Sequence, residues 1–274
     1  MMQADYRRDG FVRVRKIVAA PVLDRIAGEI AGVFHRRGAS LGLDLPATPD
    51  QPSLSRLLIG LFEHDRASYI AAAKLTQHLA SVHRLGVGDE ILGALAALGL
   101  TLPALSTRPV IHYMADRLKI PGGYHKTPAH QDWRSVQGSV DGLTVWLPLF
   151  DVGPHDYALE IVRGSHRLGL LPSTDDAFGH RLVDGTVPDT AFERLPIARG
   201  DAAFFSGFLV HRTGEEGGET VRIALSFRYN NAAESSFVAR NYPDRYTYRP
   251  DMRLLEEGFP LHDELARIFP RDTA

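Results

Sequence analysis

Apolar positions change their rhythm once along this chain. Over roughly the first hundred residues they recur at helical spacing. After Pro21, which suits the first turn of a helix, Leu23, Ile26, Ala27, Ile30, Val33 and Phe34 trace one buried stripe. A second helix is expected over Ser53 to Glu63 and a third from about Arg66 to His83. Asp89 is placed as the N-cap of a fourth, with Gly99 ending it. From about Arg108 the rhythm shortens. VIHYM (110–114), LTVWLPL (143–149), YALEIV (157–162), DAAFFSGF (201–208) and VRIALSFRYN (221–230) are apolar or alternating runs bounded by Gly, Pro, Asp and Asn, and read as strands. The tail after Tyr242 is expected to wrap the surface and end in a short helix, LHDELARIF. Helices first and strands later predict an α+β, mainly β domain: a sandwich with a helical cover.

Composition narrows the chemistry. At 274 residues and 44% hydrophobic content the chain can bury a large core. Its net charge of -2 and the lack of any basic block argue against a nucleic-acid partner. With no cysteine, thiolate zinc sites, iron–sulfur clusters, disulfides and thiol nucleophiles are all excluded, so any metal must be held by His and carboxylate. The longest apolar run, Ile91 to Leu105, is too short for a bilayer and contains Gly and Pro. The opening residues lack a signal-peptide core. A cytoplasmic protein with no membrane partner is expected.

One tripeptide carries the candidate chemistry. His130-Gln131-Asp132 is an H-x-D step, which 12 His and 21 Asp would produce about once by chance. In an extended segment residues i and i+2 share a face, so both side chains would reach one ion. His211, at the end of an apolar run and before a Gly- and Glu-rich turn, is the candidate third ligand. Two His and one carboxylate suit non-haem Fe(II) with three open positions. Zinc also accepts these ligand types, though catalytic zinc usually keeps one position open. Arg222, eleven residues beyond His211, would return beside it in a hairpin. A guanidinium in an apolar strand needs an anion. Spacing alone leaves two partners open: the distal carboxylate of 2-oxoglutarate, or a neighbouring Glu.

Taken in order, Lys119-Ile-Pro-Gly, His130-Gln-Asp, Trp146-Leu-Pro-Leu, Arg163-Gly-Ser-His166, His211 and Arg222 resemble the phytanoyl-CoA dioxygenase family of Fe(II)/2-oxoglutarate oxygenases. Tyr6-Arg-Arg-Asp-Gly-Phe-Val resembles the family's opening, a short strand before the first helix. The resemblance implies a double-stranded β-helix (jelly-roll, cupin-like) core over residues 107–232. Helices of 1–106 would buttress it, and 233–274 would form a tail, all within one domain. It implies Fe(II), 2-oxoglutarate and O2 as the reaction's partners. His130, Asp132 and His211 would hold iron, and Arg222 the far carboxylate, with Thr213 and Trp146 beside it. His112 would lie near the other carboxylate. Asp132 speaks against halogenation, since related halogenases vacate that position for chloride. Two departures, His155-Asp156-Tyr157 for the usual Asn-Gly and Arg163 for Pro, bear on the substrate side.

The segment Gln131 to Ser139 offers amide, hydroxyl and indole groups suited to a polyhydroxylated ligand. Trp133, Gln131, Gln137, His125 and Tyr124 are therefore the candidate substrate contacts. The expected reaction is hydroxylation or oxidative cyclisation of a small polar metabolite of natural-product type, sugar-bearing ones included. Alternatives are an acyl or CoA-linked substrate, a non-catalytic cupin-like metal binder and a zinc hydrolase. A monomer or homodimer is expected.

Overall fold

A computed structural model of the chain describes residues 2–120, 126–175, 179–243, 254 and 257–270. Its helices are α1 (Met2–Asp9), α2 (Ala20–Ser40), α3 (Gln51–His64), α4 (Arg66–Thr76), α5 (Ala80–Gly86), α6 (Asp89–Leu98), α7 (Trp133–Val136), α8 (Ser235–Ala239) and α9 (His262–Ile268). The strands that frame the core are β1 (Phe11–Val14), β2 (Pro103–Leu105), β3 (Val110–Met114), β4 (Leu143–Pro148), β5 (Leu159–Ile161), β6 (Ser173–Thr174), β7 (Arg181–Leu182), β8 (Glu193–Leu195), β9 (Ala202–Ser206), β10 (His211–Thr213) and β11 (Arg222–Asn231).

A large antiparallel sheet runs β1-β9-β4-β11, and β2 and β3 share the far edge of β11. A smaller one runs β10-β5-β8. The large sheet is buried on both faces, and the alternation of its strands sorts two interiors. On one face Val145, Leu147, Phe204, Ile223, Leu225 and Phe227 pack against Leu23, Ile26, Ile30, Phe34, Leu54 and Leu58 of α2 and α3. On the other, Trp146, Ala203, Phe205 and Ala224 meet Leu159 and Ile161 of the smaller sheet. This is the sandwich with a helical cover, in double-stranded β-helix form, that the pattern and the resemblance led us to expect.

Most helix boundaries follow local chemistry. Asp50 caps α3 by accepting from Ser53 N at 2.9 Å, and Asp65 caps α4 by accepting from Ser68 N at 3.1 Å. Gly99 closes α6 at φ 110°, where a side chain would be strained. Three boundaries differ from expectation. The helix foreseen over Arg66 to His83 is two helices. The Thr76 hydroxyl bonds Ala73 O, and His78 and Leu79 turn back onto Leu75 and Thr76, a side-chain and turn competition with no Gly or Pro to announce it. Asp89 is the first helical residue rather than the cap, which is Gly88. The opening strand is preceded by α1, which takes in Tyr6 to Asp9, and Gly10 at φ 81° turns the chain into β1. The C-terminal helix forms over His262–Ile268. Most of the tail segment before it lies outside the described residues. Among the described residues, no helix is long and apolar enough to cross a membrane.

Candidate metal centre

His130 and His211 are held together by the backbone. Each donates its N–H to the other's carbonyl, at 3.0 and 3.1 Å, so the two form a bridge at the edge of the smaller sheet. Their ring centroids stand 4.2 Å apart. Each Nδ1 faces a carbonyl two residues earlier, Pro128 O at 2.8 Å and Leu209 O at 3.0 Å. A carbonyl only accepts, so each Nδ1 is the donor there, which leaves each Nε2 as the atom that can turn to a metal. Burial, reinforced by the neighbouring His130, pushes the His211 imidazole down to about 3.

Asp132 arrives by a different route from the one expected. The segment does not stay extended. Asp132 adopts helical angles (φ −60°, ψ −31°) and leads into α7. Trp133 N donates to Gly207 O at 2.8 Å and pins that turn. The carboxylate still reaches the imidazole pair. Its Oδ1 lies 3.5 Å from His130 Nε2, and its Oδ2 3.8 Å from His211 Nε2. One ligand atom from each of the three buried residues falls within 4.8 Å of the others. Arg228 Nη2 donates to Oδ1 and Thr144 Oγ1 to Oδ2, both at 2.7 Å. Burial pushes the Asp132 carboxyl up, but Arg228 and the imidazoles outweigh it and hold it well below the usual carboxylate range. Two imidazole Nε2 atoms, with each ring's Nδ1 turned to a carbonyl, and one carboxylate oxygen are the donor set a hard-to-borderline divalent metal needs.

The triad opens onto a narrow cavity of about 30 Å³. His112, Trp146, Thr213 and Arg222 line it too. Arg222 is buried, and its guanidinium sits 5.5 Å over the Trp146 ring. His112 Nε2 lies 3.3 Å from Ser226 Oγ. Burial, aided by Arg222 and Arg228, holds that imidazole down to about 3, so it is neutral at pH 7.

The candidate substrate contacts fare differently. Gln131 is spent on the backbone: its amide donates to Gly169 O and Phe208 O, at 2.8 and 2.7 Å, and its carbonyl accepts from Leu171 N at 2.8 Å. Trp133 is buried against Phe208, at 5.3 Å between ring centroids, and Phe259, at 5.7 Å. Gln137 is buried in a left-handed turn and donates to Arg134 O at 3.2 Å. None of the three lines the metal cavity. Where an extended segment would have turned alternate residues outward, the turn at Asp132 buries them. Tyr124 and His125 lie outside the described residues. His166, which ends the Arg163-Gly-Ser-His motif, bonds Arg7 O at 3.0 Å and packs on Phe269, away from the cavity.

Two residues at the centre were missed: Arg228 and Thr144. The signal was present. Arg228 lies an even number of positions after Arg222 on one strand, and Thr144 two before Trp146 on another, so each shares its neighbour's face.

The family model described as phytanoyl-CoA dioxygenase (PhyH) matches residues 6–224. A search of curated proteins returns no match. Among solved structures, the non-heme monooxygenase ThoJ in its apo form superposes with a TM-score of 0.58 at 19% identity, covering 84% of this chain and 77% of its own. The epimerase SnoN, in complex with Fe3+, alpha-ketoglutarate and nogalamycin RO, gives 0.57 at 18% identity, covering 84% and 82%. EctD from S. alaskensis, with 2-oxoglutarate and 5-hydroxyectoine, gives 0.52 at 15% identity, covering 85% and 76%. At these identities the structures speak for the fold, and the family model for the lineage: the chain belongs to the phytanoyl-CoA dioxygenase family of iron- and 2-oxoglutarate-dependent oxygenases.

Proposed function

We propose that this oxygenase oxidises a small polar metabolite of natural-product type, with His130, Asp132 and His211 holding Fe(II). Arg222 binds the distal carboxylate of 2-oxoglutarate, Thr213 and Trp146 flank it, and His112 faces the keto-acid end. The carrying observation is convergence: three ligand atoms within 4.8 Å and one buried guanidinium, contributed by separate segments, open onto the same cavity. Iron, when bound, supplies coupled oxidation of 2-oxoglutarate and substrate by O2. The chain's part is to orient and exclude. Arg222, buried over Trp146, offers a fork to a carboxylate where little water competes. The neutral His112 offers a hydrogen bond without adding charge. Phe205 and Leu159 close the apolar side of the cavity.

Two observations support a polar, uncharged or weakly charged substrate. Thr127, Thr144, Thr213 and Ser226 line the cavity. Nearby basic side chains are already matched by acids: Arg212, which lines the cavity, with Glu160 and Asp189, and Lys126, next to the lining Thr127, with Glu215. A polyanionic CoA thioester would have to break such pairs. The likeness to SnoN, crystallised with nogalamycin RO, agrees with a natural-product class. Outcomes consistent with the site are hydroxylation and oxidative ring closure. The test is anaerobic addition of Fe(II) and 2-oxoglutarate, which should give a weak visible charge-transfer band, followed by a screen for substrate-triggered succinate. A band that never forms would sink the assignment of the triad and Arg222. Succinate released with acyl-CoA substrates but with no polar metabolite would overturn the substrate class.

A further inference from the structure

Arg228 lines the cavity and bonds one of the candidate metal ligands directly. Its Nη2 donates to Asp132 Oδ1 at 2.7 Å while Thr144 Oγ1 donates to Oδ2 from the adjoining strand at 2.7 Å. β11 and β4 pair Arg228 directly with Thr144, so one cross-strand pair grips both oxygens of one carboxylate. Asp132 itself is the residue just before α7, on a turn with no strand partner of its own. The imidazole ligands are fixed by backbone and by their Nδ1 bonds. The carboxylate is fixed from outside, by side chains alone. Rotation about its Cβ–Cγ bond would break a charge-assisted bond and a hydroxyl bond together.

Building on the assignment of the triad to metal, we propose that Arg228 is a positioning residue: with Thr144 it locks the plane of the Asp132 carboxylate so that the ligand presents one orientation to the metal. Metal affinity separates this role from two others by sign. A cation beside a ligand repels a divalent ion, so a mere neighbouring charge would weaken binding, and its removal would tighten it. A positioning residue does the reverse. A purely structural residue changes melting and leaves affinity alone.

The experiment is Co(II) titration of the metal-free full chain, with wild type, Arg228→Met, Arg228→Lys and Thr144→Val, alongside thermal melts. Arg228→Met should weaken Co(II) binding about 10–100-fold, the usual cost of losing an outer partner of a metal ligand. Arg228→Lys, keeping charge and a donor, should recover most of it. Thr144→Val should weaken binding several-fold. Should Arg228→Met fail to fold, the Lys and Val variants decide alone, with Thr144→Val weaker than Arg228→Lys. Tighter binding in Arg228→Met, or unchanged affinity in every folded variant, overturns the proposal. Co(II) binding needs no turnover, so a wild type that binds metal at the triad but never consumes 2-oxoglutarate would refute the functional reading and leave this one standing.

Discussion

β11 carries two faces of equal burial and opposite character. Val221, just ahead of the strand, with Ile223, Leu225, Phe227 and Tyr229 faces the helices, and Arg222, Ser226, Arg228 and Asn230 faces the sandwich interior. Tyr229 donates to Gly86 O at 2.6 Å, so even the polar tip on the apolar side serves packing. Across the strand, the two guanidinium groups meet different partners: buried Arg222 lies over Trp146, and part-buried Arg228 bonds Asp132. Burial therefore does not distinguish a core from a site. What distinguishes them is whether the buried groups are apolar or are charges and donors arranged around a shared cavity. A strand that alternates between the two binds the site rigidly to the part of the molecule that holds it folded.

Substitutions on the two faces should have different readouts, and the largest effects come first. Asp132→Ala should bring substrate-triggered succinate release to background, with a folded protein by circular dichroism. On the opposite face, Phe227→Ala should cost about 3–5 kcal/mol of stability, read as a lowered denaturation midpoint. The folded fraction should keep the wild-type KM for 2-oxoglutarate. Arg222→Ala should raise that KM by roughly 10–100-fold, the worth of a charge-assisted bond of about 1.5–3 kcal/mol, while Co(II) affinity changes little. Gln131→Leu should cost about 1–3 kcal/mol, because Gly169 O, Phe208 O and Leu171 N lose a buried partner. Substrate KM should not move; a selective rise in it would restore Gln131 as a substrate contact.

A last readout is a slope with pH rather than a single substitution. Burial holds His112 down to about 3, and His166 and His180 down to about 4. An unfolded histidine titrates near ~6.5. Below that pH the unfolded chain takes up protons the folded one refuses, so stability rises with pH across the interval and is fully present only above it. Thermal melts of the metal-free protein should fall steadily from pH 7 to 4. A flat profile would mean these rings are not buried neutral.

Much of this was legible in the residues, and the reasons for the rest are physical. The helix-to-strand change is a change of apolar period, and it survives folding because each period matches a face that is buried. His130, Asp132, His211 and Arg222 were found by residue type and order. Their meeting in one cavity depends on turns that no period encodes. Asp132 shows this well: two residues from His130 it was placed on the same face of a strand, yet it arrives through a helical turn pinned by Gly207. The same turn buries Trp133 against Phe208 and commits Gln131 to the backbone, so polar and aromatic groups expected to meet substrate serve packing instead. Arg228 and Thr144 belong to no motif, and only the alternation of β11 and β4 marks them as sharing a face with Arg222 and Trp146.

The helices of the first hundred residues cover the outer face of the large sheet, and that cover sets a limit on modularity. Leu147, Ile223, Leu225 and Phe227 are almost completely buried, and all belong to one interior with Leu23, Ile26 and Phe34. A shortened gene beginning at the first β-rich residues would keep every proposed metal and 2-oxoglutarate residue and still present a broad greasy plane to water, an aggregation surface. Any transplant of this chemistry into another scaffold must therefore bring the helical half along, or redesign that plane.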